Sequence, residues 1–163
     1  MGPVVERLLA DMDAVFCEDG WHVSLLDAVE DLTAAQAAWT PAPQRNSIWK
    51  IVDHLSLWKE DVARRIAGQP RRPAGWDEEH DWQEVPDATA AAWQASLRRL
   101  RDAHARLRGE LARRSDADLE APPPGYEAPL SAAVRGVIAH DSYHCGQICY
   151  IRALQGIPVP PAG

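Results

Sequence analysis

The sequence has few cysteines, no long apolar run and no excess of positive charge. Its three cysteines are odd in number, and none forms the Cys-x-x-Cys pair that is typical of zinc or redox sites. Cys145 and Cys149 share a helix face, where a disulfide would constrain little. We therefore expect both to be small buried hydrophobic side chains.

Long apolar segments are also missing. No stretch reaches the roughly 18 apolar residues that a membrane-spanning helix requires. Acidic residues interrupt the N-terminal segment MGPVVERLLADMD, which therefore differs from the apolar core of a signal peptide. The sequence predicts a cytoplasmic protein without a membrane partner.

The charge balance is negative. Lys and Arg total 17 against 24 Asp and Glu, and the formal net charge of −7 argues against nucleic acid as a partner. One segment is locally basic, but its arginines alternate with Leu and Glu at helical spacing, which is typical of a solvated helix face. These arginines are Arg98, Arg99, Arg101, Arg106, Arg108, Arg113 and Arg114.

Length and composition predict a single globular domain over residues 1–163. Hydrophobic residues make up 46% of the chain and charged residues 25%. A domain of this size buries about 70% of the surface that its unfolded chain exposes. We therefore expect it to fold without a metal ion or disulfides.

Apolar periodicity predicts four main helices and no strand. The predicted helices run from about Pro3 to Leu32 with a break near Gly20, from Asn46 or Ser47 to Gly68, from near Asp87 to Arg114, and from Pro129 to Leu154. The capping-box spacing that begins at Thr33 adds a short turn. The predicted fold class is all-α, with a four-helix bundle as its architecture.

Two connections between the predicted helices are long. They cover residues 69–87 and 115–129, whereas tight up-and-down bundles use shorter loops. Long connections permit crossovers, so consecutive helices need not be antiparallel.

Two histidines lie four residues apart in the last predicted helix. A helix brings residues i and i+4 to one face, so His140 and His144 can present two imidazoles to a single ion. The same spacing also suits a hydrogen-bonded pair in the core, or two exposed side chains. A third histidine, His54, falls on the inward face of the second helix, and three inward histidines favour a metal site.

The remaining histidines are weaker candidates. His104 lies on a stripe of leucines, which favours a structural role. His22 lies near the break in the first helix and could approach the site. His80 belongs to a long loop, where it is either solvated or part of a lid over the mouth of the bundle.

Three segments together resemble a known family. They are GWHVSLLDAVEDLTAAQAAWTP, NSIWKIVDHLSLWKEDVARRIAG and LSAAVRGVIAHDSYHCGQICYIRAL. One histidine on the second helix followed by HxxxHxGQI on the fourth resembles the DinB/YfiT-like superfamily of metalloenzymes. The resemblance implies a four-helix bundle with crossover connections and a divalent ion, zinc or nickel, held by His54, His140 and His144. It also implies a homodimer, and in some members a low-molecular-weight thiol as cofactor.

Three neutral histidines leave one coordination position of such an ion open, which is typical of catalytic sites. A metal-dependent enzyme acting on a small molecule is therefore one reading, either as a thiol-dependent S-transferase or as a small hydrolase. A non-catalytic metal-binding protein of the stress response is the other. The thiol would be held under the loop from Trp76 to Trp82.

Side chains beside the ligands have predicted supporting roles. Gln147 is best placed to hold a ligand imidazole, whereas Asp53 and Asp141 are expected to be solvated. Tyr143 is expected to pack in the core, with a role as proton donor as the alternative. The sequence offers no obvious general base. The predicted dimer face on the fourth helix carries Cys145, Cys149 and Arg152.

Overall fold

The computed structural model describes residues 2–18, 20–85 and 87–161, and every regular element in these ranges is an α-helix. The four long helices are α1 (Pro3–Phe16), α3 (Ile48–Ile66), α5 (Ala90–Ala112) and α7 (Leu130–Leu154). The three short helices are α2 (Ala34–Ala38), α4 (Trp76–His80) and α6 (Asp116–Leu119). The prediction of an all-α fold is confirmed.

Side-chain caps fix where several helices begin. Ser47 caps α3 by accepting a hydrogen bond from the backbone N–H of Lys50, and Thr33 forms the expected capping box with Gln36 at the start of α2. Thr89 caps α5 in the same way, two residues after the predicted start at Asp87. These side chains satisfy backbone donors that the first turn of a helix leaves without partners.

The first helix is shorter than predicted. It ends at Phe16 rather than near Leu32, and residues 25–31 form turns instead of a second helical piece. Ser24 stabilises the first of these turns, since its hydroxyl accepts from the backbone N–H of Asp27 at 3.2 Å and donates to the carboxylate of Asp27 at 2.7 Å. Local side-chain hydrogen bonds of this kind compete with the helix.

The long helices pack in the cyclic order α1, α5, α3, α7. Cross-helix pairs between α3 and α5 keep an almost constant sequence separation: Trp49 donates to Ser96, Arg99 to Asp53 and Arg106 to Glu60. A constant separation means that these two helices run parallel. The connection over residues 67–89 must therefore return along the length of α3, about 28 Å for its 19 residues. The prediction that consecutive helices need not be antiparallel is confirmed.

Buried polar side chains separate two apolar clusters. One cluster contains the first turns of α3 and α5 and the last turns of α7, and the other contains the opposite ends of the same helices. Between them lies a polar layer, which we define as Asp13, His54, Lys59, His104, His140, Asp141 and His144. None of the described helices has the length and apolar character to cross a membrane.

Candidate metal centre

Three histidines from two helices meet in the polar layer. His54 extends from α3, and His140 and His144 extend from successive turns of α7. Nε2 of His140 lies 2.9 Å from Nε2 of His54 and 3.1 Å from Nε2 of His144. Within residues 2–18, 20–85 and 87–161, this is the one group of at least three His, Cys, Asp or Glu side chains close enough to share an ion.

Two of these imidazoles are fixed through their other nitrogen. Nδ1 of His54 lies 2.7 Å from Oδ1 of Asp81, and Nδ1 of His144 lies 2.7 Å from Oε1 of Gln147. Both oxygens are acceptors, so each Nδ1 carries the proton and each Nε2 keeps its lone pair. The amide of Gln147 is oriented in turn by its N–H donating to the hydroxyl of Tyr143 at 2.9 Å.

A shared divalent ion explains the position of the three Nε2 atoms better than hydrogen bonds among the imidazoles do. A neutral His140 has at most one proton at Nε2 and can donate it to only one of its two neighbours. In a tetrahedral site with zinc–nitrogen distances of 2.0–2.1 Å, neighbouring nitrogens lie about 3.4 Å apart. Two of the three separations, 2.9 and 3.1 Å, lie close to that value, and all three ligand atoms lie within 4.8 Å of one another.

The environment keeps the three imidazoles neutral. Burial lowers the pKa of His54 and of His144. Burial, and then the proximity of His144 and His54, lowers the pKa of His140 to about 4. Neutral imidazole is the form that binds a metal ion.

The connection between α3 and α5 covers one side of this histidine cluster. The ring of Trp82 stacks on His54, with centroids 3.9 Å apart and an interplanar angle of 16°. Asp81 also accepts hydrogen bonds from the indole N–H of Trp58 at 3.1 Å and from the backbone N–H of Trp82 at 2.9 Å. Sequence reasoning considered this loop as a lid but missed Asp81, because no local pattern signals a contact across 27 residues.

The side chains that flank the ligands only partly match expectation. Gln147 contacts His144 as predicted, and Asp53 binds Arg99 at the surface. The expectation that Asp141 is solvated was wrong, since it is 0% exposed and accepts a hydrogen bond from Lys59. The expectation that Tyr143 packs in the core was also wrong, since that side chain is 64% exposed.

The other histidines lie outside the cluster. His104 stacks on Phe16 and contacts Asp13 at 3.2 Å, which is the structural role that the sequence favoured. His22 approaches α7 but contacts Ser142 rather than the cluster. His80 ends α4 and stacks on the ring of Trp76.

The cysteines do not join the histidine cluster in the described part of the chain. Cys145 is buried and its thiol donates to the carbonyl of Val23, whereas Cys149 is half-buried and Cys17 is exposed. Arg152 is also buried, where it binds Asp31, so this part of α7 is not the free surface that the sequence predicted for a dimer.

Two cavities adjoin the cluster. One, of about 380 Å³, lies between α3 and α7 and reaches both His54 and His140. The other, of about 450 Å³, lies under the loop on the side of α5 and reaches His54. Its charged and polar lining consists of Asp53, Ser56, Glu60, His80, Asp81, Gln83, Arg99 and Asp102. The histidines are therefore buried without being sealed from small molecules.

Comparison with known proteins supports the resemblance seen in the sequence. No curated protein and no solved structure is significantly similar to the chain. Residues 20–148 match the DinB superfamily, and this range includes His54, His140 and His144. Because the match covers most of the chain and all three clustered histidines, the chain belongs to the DinB superfamily.

Proposed function

We propose that this protein is a metal-dependent enzyme in which His54, His140 and His144 bind one divalent ion, zinc or nickel. The convergence of their three Nε2 atoms carries the proposal, because His140 can donate a proton to only one of its two neighbours, whereas one ion can bind all three nitrogens. Three protein ligands leave a coordination position open, as in catalytic rather than structural sites. The adjoining cavity between α3 and α7 gives a small molecule access to that position.

The protein orients the ligand imidazoles and shields one of them from water. Asp81 and Gln147 accept the Nδ1 protons of His54 and His144 and so aim both Nε2 atoms at one point. Trp82 covers His54 and limits the entry of water on that side. When bound, the ion supplies a positive centre that lowers the pKa of a coordinated water or thiol.

For the reaction, we propose group transfer to or from a low-molecular-weight thiol. The thiol of Cys145 donates to a backbone carbonyl and none of the cysteines belongs to the described histidine cluster, which favours an external thiol. The cavity under the loop combines charged and polar side chains with the apolar surfaces of Leu57, Trp82 and Ala103, which suits a thiol with both polar and apolar parts. Hydrolysis, or metal binding without catalysis, are the alternatives that the experiments below separate.

Elemental analysis of untagged protein tests the metal. We expect about one ion per chain, and its loss in the His140→Ala variant, which removes the central member of the cluster. The His80→Ala variant is the matched control, because His80 is exposed on α4 and lies outside the cluster. Full metal content in His140→Ala would refute the ligand assignment.

Cobalt substitution tests the thiol. Titration of a low-molecular-weight thiol into the cobalt-loaded protein should produce a sulfur-to-metal charge-transfer band, because a dicationic centre stabilises a coordinated thiolate. Stoichiometric cobalt with a spectrum unchanged by every physiological thiol would exclude the transferase. Cleavage of ester or amide substrates by that protein would then favour the hydrolase, and its absence the non-catalytic alternative.

A further inference from the structure

The cavity between α3 and α7 has one reactive end and one cationic end. His54 and His140 line it at the histidine cluster, and Arg65 lines it three helical turns further along α3, about 16 Å in axial rise. Its volume of about 380 Å³ is within the range of small-molecule sites. The remaining lining residues are Trp58, Val62, Ala133, Gly136 and Val137.

The middle of this cavity is apolar and open. Trp58, Val62 and Val137 provide an aromatic ring and branched aliphatic side chains along its walls. On α7, a Cβ added at Gly136 would have no non-local heavy atom within 4 Å. The absence of a side chain there therefore leaves space that a ligand can occupy.

The far end retains an unused hydrogen-bonding edge of a guanidinium. Arg65 binds Oδ2 of Asp61 through Nε at 2.7 Å and Nη2 at 2.5 Å, and no described residue accepts a hydrogen bond from its Nη1. Asp61 also binds Arg72 at 3.2 Å, so one buried carboxylate is shared by two arginines. The pair of arginines keeps a net positive charge after Asp61 is counted.

A second arginine lies beside Arg65 on its outer side. The guanidinium groups of Arg65 and Arg71 lie over the same ring of Tyr126, at 4.4 and 5.4 Å from its centroid. Arg65, Arg71 and Arg72 line an adjoining polar cavity together with three carboxylates, Asp61, Asp77 and Glu78, so the formal charges around that cavity balance. A carboxylate is a planar anionic group that can accept two parallel hydrogen bonds from one edge of a guanidinium.

We propose that this cavity binds a small organic carboxylate, with its carboxylate on Arg65, its apolar body along Trp58 and Val137, and its reacting group at the histidines. This assignment of substrate class rests on the proposed metal-dependent function. Selectivity follows from the separation of the two ends, because a ligand must be long enough to reach both. Arg65 is thus a specificity-determining residue.

Calorimetric titration with phenylbutyrate, and with phenylbutyramide as its uncharged analogue, tests the proposal. The wild-type protein should bind the carboxylate at least about tenfold more tightly than the amide, because a hydrogen bond to a charged partner contributes more than a neutral one. The Arg65→Gln variant should bind the two compounds equally. The preference should persist in zinc-free protein, since Arg65 rather than the ion recognises the carboxylate.

A second variant blocks the cavity without touching Asp61. Gly136→Leu should abolish binding of both probes, whereas Gly109→Leu on α5, where an added Cβ also has open space, should leave binding unchanged. Circular dichroism and elemental analysis accompany every variant, so that folding and zinc content are known independently.

The outcomes separate this inference from the proposed function. Loss of the carboxylate preference on zinc removal, or an unchanged preference in Arg65→Gln, would overturn the role of Arg65 while the metal site stands. Failure of the wild type to bind either probe would also overturn it. Absence of any bound divalent ion from the wild type, with the preference retained, would refute the metal-dependent function but support the carboxylate site.

Discussion

Asp81 connects the histidine cluster to the covering loop. Its carboxylate accepts hydrogen bonds from three donors: Nδ1 of His54, the indole of Trp58 and the backbone of Trp82. A charged acceptor on Nδ1 increases the basicity of the other imidazole nitrogen, which is the one facing the proposed ion. The same carboxylate therefore acts on both the ligand and the loop.

We predict that Asp81→Asn weakens zinc binding by about 10- to 100-fold, the usual effect of removing such a partner of a metal ligand. The measurement is competition against a chromophoric chelator. Asp77→Asn serves as the control, because Asp77 is an exposed carboxylate in the same connection. Equal affinities in the two variants would show that Asp81 does not support the ligand.

His104 makes stability depend on pH. Burial, and then the nearby charge of Lys59, lowers its pKa to about 4, and its Nδ1 is buried without a hydrogen-bond partner in the described structure. An unfolded histidine has a pKa of about 6.5. As pH falls between these values, the unfolded chain binds a proton that the folded chain does not, so stability is present above pH 6.5 and lost towards pH 4.

We predict a loss of about 3 kcal/mol in the free energy of unfolding from this group as pH falls across that window. Urea unfolding of zinc-free protein at several pH values measures it. The His104→Gln variant should have a flatter dependence, since the other titrating groups are shared and cancel in the comparison. Parallel curves for the two proteins would contradict the assignment to His104.

At the scale of the helices, Lys59 joins α3 to α7. Its ammonium group donates to Asp141, and both side chains are 0% exposed. Removing one member of a buried ion pair leaves the other charge without a partner and destabilises the fold by about 3–5 kcal/mol. Replacing both members by apolar side chains is often neutral or stabilising.

We therefore predict that Lys59→Met destabilises the zinc-free protein by about 3–5 kcal/mol and that Lys59→Met with Asp141→Leu recovers most of this loss. Urea unfolding of the two single variants and the double variant gives the coupling energy. Additive losses would mean that the two residues act independently.

Three of the four long helices, α3, α5 and α7, could be predicted from sequence, whereas the end of α1, the rotation of the helices and the loop contacts could not. Apolar periodicity and the caps at Ser47 and Thr33 are local signals, and they gave correct starts for α3 and α2. Asp141 and Tyr143 lie on opposite sides of the ligand stripe, and only packing against Lys59 decides which of them is buried. The contact between Asp81 and His54 likewise depends on the path of a long connection.

At the scale of the whole molecule, α7 retains an exposed aromatic and aliphatic face. Tyr143, Tyr150 and Leu154 are 64%, 67% and 49% exposed, and their spacing of seven and four residues places them on one side of the helix. Apolar patches of this kind are common at protein interfaces. This face is a better candidate for a dimer interface than the one predicted from sequence, because Cys145 and Arg152 are buried within the chain.

We predict a homodimer through this face of α7, with a mass twice the 18.0 kDa of one chain by light scattering at micromolar concentration. Tyr150→Glu should shift the protein to a monomer by burying a charge at the interface. Val4→Glu is the control, because Val4 is also an exposed hydrophobic residue but lies near the start of α1. A monomeric wild type would exclude the dimer.

The polar layer lies between two apolar clusters, each of which brings together residues from all four long helices. The proposed ion is therefore not needed to join the two ends of the bundle, and we expect folding and metal loading to be separate events. The identity of the proposed ion should then depend on which metals the cell supplies as well as on the preference of the three imidazoles. Protein prepared from nickel-rich and zinc-rich cultures should accordingly have the same fold but different metal contents.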